Sequence, residues 1–125
     1  MRENEIGETL LGCAIRVHSA LGPGLLESAY EICLLHELAK VGLETVRQVP
    51  FPVLYDGLQL DAGYRIDLLI ENSVIVEVKS VEQLLPIHTA QLLSYLKLSN
   101  QKLGYLLNFN TVQLRKGIRR VVNNL

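Results

Sequence analysis

Tyr64-Arg65-Ile66-Asp67-Leu68-Leu69-Ile70, then Glu71-Asn72-Ser73, then Val74-Ile75-Val76-Glu77-Val78-Lys79 is the stretch that decides the reading of this chain. Both outer runs are apolar enough for buried strands, yet they carry two acids and a lysine. Side chains in a strand alternate faces. That sets Tyr64, Ile66, Leu68 and Ile70 against Arg65, Asp67 and Leu69, and Val74, Val76 and Val78 against Ile75, Glu77 and Lys79. Glu71-Asn72-Ser73 has turn chemistry. With those three residues as the loop, position 70 pairs with 74 and Asp67 falls opposite Glu77. Lys79 then falls opposite Arg65 on the same face. A two-residue loop would set Val76 against Asp67 and push apolar side chains onto the polar face, which the hydrophobic pattern disfavours. Directly opposed residues have Cβ atoms roughly 4.5–5.5 Å apart, where like charges repel. Buried charge is expensive unless something pairs with it. A hard divalent cation that takes oxygen ligands, Mg²⁺ above all, would hold the two carboxylates together.

Upstream, Ile6, Leu10, Ala14, Val17 and Leu21 recur at helical spacing, and Leu21-Gly22-Pro23-Gly24 ends that helix. A second helix is expected from about Leu25 to Val41, with Gly42 where a C-terminal glycine belongs. Val46, Val49, Phe51, Val53 and Tyr55 read as a strand, made an edge or an irregular one by Pro50 and Pro52. Asp56-Gly57 is a hairpin turn leading to a short strand near Gln59-Leu60. Downstream, a helix is expected over Pro86 to Leu98 and a buried strand over Lys102 to Phe109. The tail, Leu114 to Asn123, reads as a short helix in preference to a strand. This order gives an α/β domain with a single mixed β-sheet flanked by helices: an αβββαβ core with an extra N-terminal helix.

At 125 residues the chain is one domain's length, 1–125, with no linker or repeat. No apolar run is long enough to span a membrane. The polar start Met1-Arg2-Glu3-Asn4-Glu5 lacks signal-peptide character, so a cytoplasmic location is expected. Cys13 and Cys33 lie in apolar helical patterns without zinc-site spacing and read as reduced core residues. A formal net charge of −1 rules out a protein that coats nucleic acid through a large basic surface. Local phosphate contact stays open. Arg115, Lys116, Arg119 and Arg120 form a basic cluster that is either a solvated face or a phosphate-contact patch. His18 reads as a helix-end histidine, and His36 and His88 as surface or helix-start residues.

An acid on one strand and Glu-x-Lys on the next, followed by a helix and a strand, resembles the PD-(D/E)XK nuclease superfamily through Asp67, Glu77 and Lys79. Ile66 stands where that superfamily often has proline. Gln91 and Tyr95 are similar to the Gln-x-x-x-Tyr motif of RecB-like nucleases. Gly24-Leu25-Leu26-Glu27-Ser28-Ala29-Tyr30 resembles the signature of the GxxExxY protein family, a small branch of the superfamily. His18, Leu21-Gly22-Pro23 and the segment Gly117 to Asn123 fit that family too.

The resemblance implies a restriction-endonuclease-like fold and metal-dependent hydrolysis of phosphodiesters, in DNA before RNA, with Mg²⁺ or Mn²⁺. It implies Asp67 and Glu77 as metal ligands, with the carbonyl of Val78 and the carboxylate of Glu27 completing the set. Lys79 becomes the catalytic lysine. Gln91, Tyr95, Tyr30 and Arg65 become substrate contacts. Each residue also has a structural reading: a salt-bridge cluster for Asp67, Glu77 and Lys79, a helix-start acid for Glu27, core aromatics for Tyr30 and Tyr95, an exposed residue for Gln91, and a counter-charge for Arg65. The rival function is a non-catalytic nucleic-acid-binding or protein-interaction module that keeps the fold; a hydrolase of another phosphate ester is a third. A homodimer is expected to cover the apolar edge from Val46 to Tyr55.

Overall fold

The computed structural model describes residues 2–61 and 63–125. Two helices come first, α1 (Arg2–Leu21) and α2 (Glu27–Lys40). Strand β1 (Thr45–Pro50) follows, then the short strands β2 (Val53–Tyr55) and β3 (Leu58–Leu60). The central strands β4 (Arg65–Ile70) and β5 (Val74–Lys79) lead into α3 (Pro86–Ser99), β6 (Leu103–Asn108) and β7 (Ile118–Val122). The main sheet has the order β1-β4-β5-β6-β7, and β2 and β3 form a separate hairpin. β5 and β6 are parallel, joined by the α3 crossover, and the other neighbours are antiparallel.

Two apolar clusters lie on the two faces of this sheet. Leu10, Ala14 and Val17 of α1 and Leu34 and Leu38 of α2 pack with Leu68, Ile70, Val74, Val76 and Val78. On the other face Leu92 and Leu96 of α3 pack with Ile66, Ile75, Leu106 and Val121. β5 is therefore buried on both sides, as befits a strand with helices over each face.

The β4–β5 turn is the expected three-residue one. Ile70 pairs with Val74, and Glu71 and Asn72 both adopt left-handed φ angles of 52° and 50°. The edge character of β1 is also as expected, since it has a neighbour on one side only.

Two expectations are corrected. The tail is not a helix: a 3-10 turn over Leu114–Gly117 leads into β7, which pairs with β6. The reason is tertiary. Gly117 passes so close to β6 that an added Cβ would stand 2.3 Å from the carbonyl oxygen of Asn108, and the following residues complete that edge. The strict alternation of β4 also fails. Ile66 packs with Leu69 and Ile75 on the α3 side, while Leu68 and Ile70 pack on the other. The pleat is interrupted at Asp67.

Candidate active site

That interruption is where the polar residues gather. Backbone pairing of β4 with β5 runs through Leu68 and Val76. One step further, side chains replace it. The Asp67 N–H donates to Glu77 Oε2 at 2.9 Å, and the Val78 N–H donates to Asp67 Oδ2 at 2.8 Å. The β1–β4 ladder skips the same level. Its partners jump from Arg47↔Leu68 to Val49↔Ile66, and Gln48 between them has a left-handed φ of 55°. This turns the Gln48 amide toward α2, where its Nε2 donates to Glu31 Oε1 at 2.7 Å and to Asp67 Oδ1 at 3.3 Å.

α2 is delivered to the same place by the glycine break. Gly22 and Gly24 have φ of 71° and 93°, a region that suits residues without a Cβ. The Tyr30 hydroxyl fastens this loop by donating to the Gly22 carbonyl at 2.6 Å and accepting from the Leu25 N–H at 3.0 Å. The loop then meets the end of β5. Ser80 Oγ donates to the Leu25 carbonyl at 2.6 Å, and the Ser80 N–H donates to Glu27 Oε2 at 3.1 Å. Glu27 and Asp67 thereby face one open cavity of about 570 Å³, with Glu31, Gln48, Val78 and Ser80 also in its walls.

Glu77 lies behind that wall, only 6% exposed. Burial, and then the charge of Asp67, push its carboxyl up to about 8. Asp67 is also raised, first by burial, while its bond from the Val78 N–H pulls the other way. The Lys79 ammonium favours the ionised form of both acids. It makes no hydrogen bond or ion pair among the described residues. Oxygen donors on two opposed carboxylates that repel each other suit a hard divalent cation. Among the described residues, no group of three or more His, Cys, Asp or Glu side chains has a metal-binding arrangement.

The remaining expected residues divide. Tyr95 and Gln91 sit on the α3 side, in a smaller depression with Phe51 and Tyr64. Tyr95 is close enough to Glu77 for that charge to help burial raise its phenol. Arg65 does not join the acids. It lines a separate depression with Gly63, Tyr64 and Phe51, because the break at Asp67 turns the start of β4 away. Tyr30 is fully buried, stacks on Phe109 with centroids 4.5 Å apart, and has both sides of its hydroxyl used. His18 is an anchor too, its Nε2 lying 2.7 Å from the Thr111 carbonyl oxygen.

Three residues of this site carry no mark in the motifs. Glu31 is buried and paired through Oε2 with the Arg47 guanidinium at 2.8 Å, and Gln48 joins it to Asp67. The spacing of four from Glu27 places Glu31 on the same helix face, which is the one signal available in sequence. Asn108 is the third. It pairs with Lys79 in the ladder, and its amide grips the Val81 backbone at both the N–H and the carbonyl, each at 3.0 Å.

A family model described as the PD-(D/E)XK nuclease superfamily matches residues 4–121. No curated protein matches the chain.

Proposed function

Because this chain belongs to the PD-(D/E)XK nuclease superfamily, we propose that it is a metal-dependent nuclease hydrolysing phosphodiester bonds, with DNA as the first substrate to test. The observation that carries this reading is the crossed bonding of β4 and β5, in which the Asp67 N–H donates to the Glu77 carboxylate and the Val78 N–H to the Asp67 carboxylate, with Lys79 two residues past Glu77 and unengaged. Asp67, Glu77, the Val78 carbonyl and Glu27 would hold Mg²⁺ or Mn²⁺. Such an ion, when bound, lowers the pKa of a water and offsets charge on a phosphate. The chain's own part is to hold two carboxylates in place against their repulsion and to present Lys79. The Lys79 ammonium stabilises the negative charge that builds on the phosphoryl oxygens, or steers the attacking water. Gln48 and Glu31 act through Asp67: they fix its Oδ1 and so the direction of its free lone pairs.

The finer kinship with the GxxExxY family rests on Gly24, Glu27 and Tyr30 and the segments flanking them. The 3-10 turn bearing Arg115 and Lys116 lies beside the C-terminal end of β6, the end of the sheet that also holds Lys79, which supports a phosphate contact there. A homodimer is supported by the open outer edge of β1, where Val46 is 59% exposed.

The test is cleavage of single- and double-stranded DNA and RNA with Mg²⁺ or Mn²⁺, comparing wild type with Lys79→Ala and Asp67→Asn. Metal-dependent cutting that falls by about 100-fold or more in both variants is expected. Cutting that survives Lys79→Ala would sink the assignment. The rival module has one observation in its favour: the hydrogen bonds of Asp67, Glu77 and Glu31 form a self-sufficient polar network. It is favoured if no substrate is cut while wild type and Lys79→Ala bind nucleic acid alike.

A further inference from the structure

On the α3 side of the acids, Phe51, Tyr64 and Tyr95 form a three-ring cluster. Phe51 meets Tyr95 edge to face at 4.8 Å and Tyr64 at 6.0 Å, and Tyr64 meets Tyr95 at 6.3 Å. Such clusters usually close over a core. This one is core on one side only: Phe51 is buried and Tyr95 packs against the core, but Tyr64 is 42% exposed, and the rings wall a depression of about 260 Å³ together with Val53, Gln91, Ser94 and Leu98. That is smaller than the roughly 300–1,000 Å³ of a site for a drug-sized molecule, and three of its seven lining residues are aromatic. The Gln91 amide at the rim makes no hydrogen bond among the described residues, which leaves both donor and acceptor facing solvent. Arg65, also without a hydrogen-bonding or ion-pairing partner among the described residues, lines the next depression and shares Phe51 and Tyr64 with this one.

We infer that this depression is a stacking site for one unpaired nucleobase, with Tyr64 as the platform, the Gln91 amide meeting the base edge and Arg65 the adjoining phosphate. The inference rests on the nuclease reading for its position, since Tyr95 connects the depression to the Glu77 side of the acid pair. Its chemistry stands on the rings and the amide. Aromatic side chains bind single-stranded nucleic acid by stacking on each exposed base face, and amides read base edges. A base locked in a duplex cannot enter so small an aromatic depression. The site therefore selects a strand that is single, frayed or locally opened.

The experiment is binding without cutting. Fluorescence anisotropy in Ca²⁺ compares a labelled single-stranded DNA, the same strand with abasic sites, and its duplex, using wild type, Tyr64→Ala, Tyr64→Phe and Gln91→Ala. Wild type is expected to bind the base-bearing strand about tenfold or more tighter than the abasic strand, and tighter than the duplex. Tyr64→Ala should erase that difference, Tyr64→Phe should keep it, and Gln91→Ala should reduce it without disturbing a core residue. Equal affinity for base-bearing and abasic strands, a preference for duplex, no binding at all, or an unaltered preference in Tyr64→Ala would each overturn the inference. Cleavage by wild type in Mg²⁺ or Mn²⁺, run alongside, keeps the two readings apart. A base preference in a wild-type protein that cuts nothing would retain the stacking site and remove the nuclease.

Discussion

At Glu77 the fold holds a carboxyl that takes up a proton far more readily than it would in an unfolded chain. Its folded value is about 8 against an ordinary value of 4.5. The direction of the consequence follows from proton counting. Between those two values the folded state binds more protons than the unfolded one, so stability falls as pH rises. Below about 4.5 the group is protonated in both states, and above about 8 it is ionised in both, so the change is confined to that window. Metal-free protein should lose up to roughly 1.4 kcal/mol per pH unit across it, as read by urea unfolding at stepped pH. Glu77→Gln keeps an oxygen for the Asp67 N–H but no charge. It should flatten the profile and be the more stable protein at pH 8. A Glu77→Gln profile as steep as wild type would assign the slope to another group. Mg²⁺ or Mn²⁺ should raise the melting temperature of wild type most at the alkaline end, because the ligand form is the ionised one.

The elements of this site were legible in sequence to the degree that they are local. The turn Glu71-Asn72-Ser73 and the alternation beyond it define the register of β4 and β5 within sixteen residues, and they place Asp67 and Glu77 at one level. Glu31 and Gln48 escaped because their roles depend on a left-handed residue in β1 and on a helix docking over it, neither of which has a period to read. The tail escaped for a related reason. Ile118-Arg119-Arg120-Val121-Val122 does not alternate, and only the open edge of β6 makes it a strand. Gly117 is the point where that edge is closed, and Gly117→Ala tests how much depends on it. The new methyl would press on the Asn108 carbonyl, for which overpacking of about 1–3 kcal/mol is expected. Because Asn108 also grips Val81, just beyond Lys79, cleavage should fall with it. A variant with unaltered melting temperature would show that β7 shifts freely.

For the whole molecule, a net charge of −1 leaves only local basic groups to meet a phosphate backbone. Substrate binding should then have a shallow salt dependence, set by a few contacts such as Arg65, Arg115 and Lys116. No helix among the described residues is long and apolar enough to cross a membrane. Among the molecule's exposed apolar residues are Val46 on the outer edge of β1 and Leu54, Tyr55 and Leu58 on the β2–β3 hairpin. Light scattering at micromolar concentration should give the mass of two chains, and Val46→Lys on the edge should return one, since charge on an open strand blocks pairing. A single-chain mass for wild type would remove the dimer.

The two acids lie ten positions apart across one hairpin, while the helix that walls them in starts forty positions before Asp67. The hairpin can form before that helix docks, so the clash of charges is met early, on the way up the folding barrier. Refolding should accordingly run faster at pH 6 than at pH 8, and faster again with Mg²⁺, by the part of the Glu77 shift that Asp67 causes, while the larger part, from burial, should show as faster unfolding at pH 8. Stopped-flow refolding would show whether the ion assists the birth of the sheet as well as its work.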